Sequence, residues 1–351
     1  MPPPPNLPPR GILRLATELE CCPVGVIAAA ARGVGECLCV AVTLPGGAPT
    51  AEHLRWAAAA YEAVATVAPR LDVRLLFSCA GWTEAEVDAL QQRDHAAPLS
   101  AEQLRLQPGG GDVRRLPRES AAPPVEQPPR SLFAALRLLF SRGPAALLRA
   151  LLCVPDVADV HQVIAGPAPP YDVAVVAGTF DRLHAGHRLL LTSAALVATR
   201  SLYIGVTGAA LTKHKKLAGL LEAQAVREAA AAELCRATRP GLTVITGELT
   251  DPMRGIDGQP EVDAMVVSRE TAGRAARLNV AKAAARALAF LFPPCREALR
   301  KRMHGLAPYG LVVVGLVGAD REGPKLSSTA LREADDSAAA AAAASGSQRT
   351  R

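Results

Sequence analysis

Residues 173–191 read VAVVAGTFDRLHAGHRLLL. The unbroken apolar run VAVVA, closed by a glycine, predicts a strand buried on both faces, and the stretch from His184 onward predicts a helix. Gly178 lets the backbone come close to a ligand at the turn between them, and Thr179 adds a hydroxyl and an amide. His184 and His187 are three apart and share one face of the first helical turn. That turn carries free N–H groups and the positive end of the helix dipole, which together favour an anion. A structural core has little use for this arrangement, whereas a phosphate site does. An ordinary strand-to-helix turn with two exposed histidines is the alternative, and the motif alone leaves both open.

Working outward, apolar strands are predicted at 173–177, 201–206, 242–246, 262–267 and 311–317, with helical stretches between them. Such alternation means a parallel sheet covered on both faces, whose ligand lies beyond the carboxyl ends of the strands. The segment KLSSTALR, 325–332, supplies a second helix start suited to phosphate. Ser327, Ser328 and Thr329 offer three consecutive hydroxyls, and Arg332 falls one turn after Ser328, fit for bidentate phosphate contact. A plain N-cap with a salt-bridging arginine is the alternative here. Two such helix starts, at the first and last strands of one sheet, favour a phosphate-bearing ligand.

Before this region, 36–44 and 71–79 read as strands and 50–70 as the helix joining them; 83–94 reads as a helix with a Thr83/Glu86 capping box. The expected organisation is an accessory α/β domain at 1–95, with residues 1–9 proline-rich and disordered, and a flexible linker at 96–130. A helical connection at 131–171, a catalytic-type domain at 172–334 and a disordered tail at 335–351 follow. A fragment beginning near Ala165 is expected to keep the chemistry. Residues 280–299 are expected to form a surface excursion broken at Pro293 and Pro294, rather than a longer helix. His53 and His161 read as surface or packing residues, and Trp56 and Trp82 as core. The fold class is therefore α/β, with a Rossmann-like, five-stranded parallel sheet preceded by a smaller α/β unit.

Composition narrows the classes. The 351 residues carry a net charge of +6 and only 3% aromatics, with arginines scattered rather than blocked, which argues against a nucleic-acid surface. The eight cysteines include no C-x-x-C pair and sit mostly in apolar runs, as reduced thiols rather than disulfides or metal ligands. No apolar run reaches the length of a membrane span. The expectation is a soluble, cytoplasmic protein with no membrane partner; organelle targeting and oligomeric state stay open.

GTFDRLHAGH together with KLSSTALR resembles the H-x-G-H nucleotidyltransferases that carry an S-S-T-x-x-R signature. GVTGAALTKHKKL, TDPMRGIDGQPEVDAMVVSRET, Asn279 and HGLAPYGLVVVGLV extend the likeness over about 172–333 to the eukaryotic and archaeal type of phosphopantetheine adenylyltransferase. That branch includes the adenylyltransferase part of bifunctional coenzyme A synthase. The resemblance implies that His187 stabilises the transition state and that His184 contacts the nucleotide. It assigns Gly178, Thr179, Phe180, Gly186, His187, Ser327, Ser328, Thr329 and Arg332 to ATP. Thr179, Ser268 and one lysine of the cluster Lys213, Lys215 and Lys216 would hold phosphopantetheine, with the register favouring Lys213 and then Lys216, and Glu270 and Thr271 would line the cleft.

The implied reaction is attack of the 4′-phosphate of phosphopantetheine on the α-phosphorus of ATP, with Mg²⁺ accompanying ATP and no protein metal site. AGRAARLN, 272–279, departs from the usual Gly-Gly before the asparagine, which puts the local backbone path in question. No G-x-x-x-x-G-K-[ST] occurs, so a separate dephospho-coenzyme A kinase is expected. Another nucleotidyltransferase of the superfamily, with a different phosphorylated acceptor, and a non-catalytic nucleotide-binding scaffold are the competing readings.

Overall fold

The computed structural model describes residues 7–45, 51–116, 162–165, 170–251, 262–302, 309–315, 317 and 327–348. Two sheets organise them. In the first half, β1 (Arg10–Ala16), a short β2 (Cys21–Cys22), α1 (Val24–Arg32), β3 (Cys37–Thr43), α2 (Ala51–Val67), β4 (Asp72–Phe77), α3 (Glu84–Arg93) and β5 (Ala97–Leu99) follow in order. β4, β3, β1 and β5 form a four-stranded parallel sheet in that order. α3 begins with the anticipated capping box: Thr83 Oγ1 accepts from Glu86 N, and Glu86 Oε2 accepts from Thr83 N.

Further along come α4 (Ala101–Arg105), β6 (Arg114–Arg115), β7 (Gln162–Ala165), β8 (Tyr171–Gly178), α5 (Ala185–Val197), β9 (Ala198–Thr207), α6 (Ala209–Thr212) and α7 (Gln224–Thr238). β10 (Thr243–Leu249), β11 (Ala264–Ser268), α8 (Arg269–Leu291), α9 (Arg296–Arg302), β12 (Gly310–Val314) and α10 (Ser328–Gln348) complete the chain. The second sheet has the order β10-β9-β8-β11-β12-β7. Its first five strands are parallel, as the apolar runs require, and β7 adds an antiparallel edge.

The structure differs from the sequence expectations at several elements. β1 lies in the middle of the first sheet, though RGILRLA follows directly on a proline-rich start and carries two arginines. β5, α4 and β6 occupy part of the expected linker, and β7 part of the expected helical connection. The expected tail is helical as far as Gln348, because its alanine run has high helix propensity. Residues 280–291 continue α8, with Ala285 and Ala289 buried. The break comes at Pro293 and Pro294, as their missing N–H groups require. α8 also runs unbroken through 272–279, so the departure there costs the backbone nothing. The disorder expected at 1–6, the linker at 117–130, the helices expected within 131–161, and His161 lie outside the described residues.

The two sheets share one hydrophobic core. Leu54, Tyr61 and Phe77 of the first half and Leu191, Leu196 and Leu202 of the second belong to the same buried cluster. His53 and Trp56 are buried, and Trp82 is half-buried with Nε1 donating to Ala237 O of α7 at 2.8 Å. Among the described residues no helix is long and apolar enough to cross a membrane.

Candidate active site

β8 is the point where the sheet order reverses: the chain goes from β8 to β9 and β10 on one side, then returns to β11 and β12 on the other. In open parallel sheets a crevice forms at this point, beyond the carboxyl ends of the strands. A cleft of about 300 Å³ opens there. The sequence-predicted residues Gly178, Thr179, Phe180, His184, Gly186, His187, Ser268, Ser327, Ser328, Thr329 and Arg332 all line it, as do Glu270 and Thr271. Lys213 and Lys216 do not. Lys215 lines the cleft instead, while Lys216 Nζ pairs with Glu333 Oε1 at 2.6 Å.

His184 is the N-cap of α5. Its backbone is extended and its Nδ1 accepts from Gly186 N at 3.2 Å, so the neutral ring carries its proton on Nε2. The His187 ring stacks on it with centroids 4.0 Å apart and planes 22° apart, and meets the edge of Phe180 at 5.5 Å. Burial holds the His187 pKa well below the usual histidine value, and His184, Lys215 and Arg188 push it the same way. His187 is therefore an uncharged imidazole at neutral pH. Its Nδ1 is buried and has no hydrogen-bond partner among the described residues.

The loop between β8 and α5 is under backbone strain. Phe180 and Arg182 have φ of 52° and 47°, in the left-handed region that side chains disfavour. Phe180 folds back over Gly178, where a Cβ would stand 2.9 Å from the ring, so only glycine fits. Between the two strained residues, Asp181 is fully buried. Its carboxylate accepts from Arg332 Nη1 at 2.6 Å, Arg182 Nη1 at 3.2 Å and Glu222 N at 2.9 Å.

This pairing revises the reading of Arg332. The guanidinium is buried, with Nη1 on Asp181 and Nη2 donating to Lys216 O and Thr329 Oγ1, both at 3.1 Å. Its free N–H, Nε, has no partner among the described residues. Asp181 stands inside the GTFDRLHAGH motif, yet nothing in the spacing of the sequence marks it as Arg332's partner. A second buried arginine escaped sequence reasoning altogether. Arg227 Nη1 donates to Thr179 O at 2.7 Å and Thr207 O at 3.1 Å, and its Nε to Glu222 O, stapling the ends of β8 and β9. Thr207 Oγ1 then donates to Thr179 Oγ1 at 3.1 Å.

Opposite, Ser327 Oγ caps α10 by accepting from Ala330 N at 3.2 Å, while Ser328 and Thr329 face the cleft on its first turn. Ser268 is the N-cap of α8 by position, without a capping side-chain bond to the backbone, and its Oγ lies 3.1 Å from Thr271 Oγ1. Asn279 holds the entry to β12: its Oδ1 accepts from Tyr309 N and its Nδ2 donates to Tyr309 O. Lys215 is exposed at the mouth of the cleft, and partial desolvation followed by Arg332 lowers its pKa. Among the described residues no three His, Cys, Asp or Glu side chains come close enough to hold a metal ion. The cleft brings together the N-termini of α5 and α10, whose first-turn N–H groups and dipoles suit an anion.

Known proteins give the same direction. The chain is 29% identical over 176 residues to a phosphopantetheine adenylyltransferase of Saccharomyces cerevisiae, a match covering 50% of this chain and 52% of the relative. It is 34% identical over 161 residues to the phosphopantetheine adenylyltransferase of Pyrobaculum aerophilum, 45% of this chain and 88% of the relative. With that of Methanopyrus kandleri it shares 32% over 171 residues, 48% of this chain and 95% of the relative. The chain thus spans about half the length of the Saccharomyces relative and nearly all of the other two. No family model and no solved structure matches. Relatives more than 30% identical and matched almost end to end show that the chain belongs to the phosphopantetheine adenylyltransferase family.

Proposed function

We propose that this chain transfers the adenylyl group of ATP to 4′-phosphopantetheine, giving dephospho-coenzyme A and pyrophosphate. The observation that carries the reading is the convergence of the α5 and α10 N-termini on one cleft, with His184 and His187 on one side and Ser328 and Thr329 on the other. Two helix starts suit a ligand with phosphate at both ends of its path, which is what a nucleoside triphosphate and a phosphorylated acceptor present together.

A 4′-phosphate oxygen attacks the α-phosphorus of ATP in line, forming one P–O bond as the bond to pyrophosphate breaks. The attacking oxygen is already ionised, so the step needs no general base, and catalysis rests on positioning and charge stabilisation. His187, uncharged and half-buried beside His184, donates a hydrogen bond to the α-phosphate as negative charge builds there. His184, whose Nδ1 is taken up in the cap, contacts the nucleotide through the Nε2 side of the ring. Thr179, fixed by Arg227 and Thr207, meets the attacking phosphate. Lys215, rather than Lys213 or Lys216, is the lysine suited to the acceptor phosphate. Ser328 and Thr329 receive the pyrophosphate end, where the first turn of α10 offers backbone N–H groups. Mg²⁺ would be held mainly by the ATP phosphates and would offset their charge; among the described residues the one carboxylate lining the cleft is Glu270.

The test is pyrophosphate release from ATP, Mg²⁺ and 4′-phosphopantetheine, with CTP replacing ATP and nicotinamide mononucleotide replacing the acceptor in parallel. Release with ATP and phosphopantetheine alone is expected. Release with another pair assigns a different nucleotidyltransferase reaction, and release with none assigns a binding role.

A further inference from the structure

The matches to relatives cover about half of this chain, and α5, which carries His187, is gripped by elements of the N-terminal half. Arg188, immediately after His187, is buried and ion-pairs with Asp72 at the start of β4. One turn further along α5, Thr192 Oγ1 lies 2.8 Å from Tyr61 Oη of α2, both side chains fully buried. Asp72 also accepts from Arg74 at 2.8 Å, and Arg74 pairs with Glu233 of α7 at 2.8 Å. The first half therefore holds two helices of the second half through a fully buried hydrogen bond and through ion pairs at the edge of the shared core. An apolar interface can slide by small amounts at little cost, but a buried hydrogen bond and a half-buried ion pair with close, directional contacts each favour one register.

We propose that Asp72 and Tyr61 are positioning residues for the transfer reaction: through Arg188 and Thr192 they fix the axial and rotational setting of α5, and with it the placement of His184 and His187. This rests on the functional reading above. The N-terminal sheet is then a working part of the site, although none of its side chains lines the cleft. The groups that act electrostatically on His187 are His184 at the cap, Lys215 from the loop after α6, and Arg188 itself. Asp72 balances the last of these, so it controls both the position and the field of the residue next to His187.

The experiment uses the full chain. Asp72→Asn removes the balancing charge while keeping the shape, and Tyr61→Phe deletes a single hydroxyl from a site that remains packed. A misplacement of a few tenths of an ångström at the reacting groups is expected to lower kcat on the order of tenfold for Asp72→Asn. The KM values should move less than about twofold, because ground-state contacts adjust more readily than the in-line geometry. In an Arg188→Met background the same substitution should add nothing, since Asp72 acts through Arg188. Amide hydrogen exchange supplies a readout independent of activity: Asp72→Asn and Tyr61→Phe should speed exchange at 185–192 and leave β9 and β10 unchanged. Unchanged kcat in a folded Asp72→Asn or Tyr61→Phe chain would overturn the inference, as would an independent loss in the double variant. Faster exchange everywhere would also overturn it, by reducing the contacts to general stability. If the wild-type chain releases no pyrophosphate at all, the functional reading fails, and the local exchange pattern still decides whether α5 is held this way.

Discussion

Replacing Arg332 by methionine separates two roles that the site gives one side chain. In the structure the guanidinium is 2% exposed and its partner Asp181 is fully buried, with 2.6 Å between Nη1 and Oδ2. Removing one member of a buried pair costs about 3–5 kcal/mol, because the other is left as an uncompensated buried charge. Asp181 keeps Arg182 Nη1 at 3.2 Å and Glu222 N at 2.9 Å, so the low end, about 3 kcal/mol, is expected. Asp181→Asn alone should cost a similar amount by stranding the arginine. The double variant removes both charges and should recover most of the loss, giving a coupling of at least about 2 kcal/mol in urea denaturation. ATP titration of the same four proteins then isolates any phosphate contact. If Arg332 touches ATP only through Nε, the double variant binds ATP more weakly than wild type although its fold is restored. An Arg332→Met chain within about 0.5 kcal/mol of wild type, the range of surface changes, would refute the pairing argument, as would an additive cycle.

His187→Ala should fold and lose on the order of 10²–10³ in turnover, the scale of one transition-state donor, with ATP affinity changing far less; near wild-type turnover by pyrophosphate release would remove His187 from the mechanism. The same residue imposes a pH dependence on stability. Its folded pKa lies below the unfolded value of 6.5, so the unfolded chain binds more protons in acid and the contribution present above pH 6.5 is lost as pH falls. Denaturation at pH 7.5 and 5.5 should therefore show a smaller acid loss in His187→Ala than in wild type, by up to about 1.4 kcal/mol per pH unit; equal slopes would contradict the burial. A fragment starting at Ala165 should be poorly soluble, because it bares the side of α5 that α2 covers; a soluble, active, monomeric fragment by gel filtration would show that the first sheet is dispensable.

The cleft was legible in the sequence to the extent that its parts are local. A strand end, a cap and three hydroxyls are read from neighbours in the chain, and all of them reach one cleft. What stayed hidden depends on contacts between distant segments. Asp181 and Arg332 are 151 residues apart, and Arg332 reads equally well as a phosphate ligand until its partner is seen. Lys215 could not be told from Lys213 and Lys216, because three lysines within four positions differ only in which one the short turn of α6 aims inward. β1 was obscured by the prolines before it, and β7 by the apolar helical pattern around it; an edge strand needs little of its own when β12 supplies the pairing. The exchange of an expected excursion for a longer α8 has the same source: alanine-rich sequence favours helix wherever a groove accepts it, and Ala285 and Ala289 found one.

The strained loop explains why these distant contacts gather where they do. Left-handed backbone at Phe180 and Arg182 costs about 1–3 kcal/mol each, and such conformations persist only when their surroundings over-determine them. Here three constraints act on three consecutive residues. The Phe180 ring is buried against His187 in the space that Gly178 leaves open. Asp181 is held by two guanidiniums and the Glu222 amide. Arg182 N donates to Glu222 Oε2 at 2.7 Å, and its Nε to Asp335 Oδ2 at 2.7 Å. Asp335 in turn pairs with Arg70 of the first half at 2.8 Å. A relaxed loop would let Phe180 swing away and release His187 from its stack on His184. The strain thus has a consequence at the cleft: it locks the imidazole edge in place before any ligand arrives, and the elements that offset it come from α10, the loop before α7 and the N-terminal half together. The setting of the two histidines therefore draws on contacts from both halves of the chain, among them Glu222, Asp335 and Arg70.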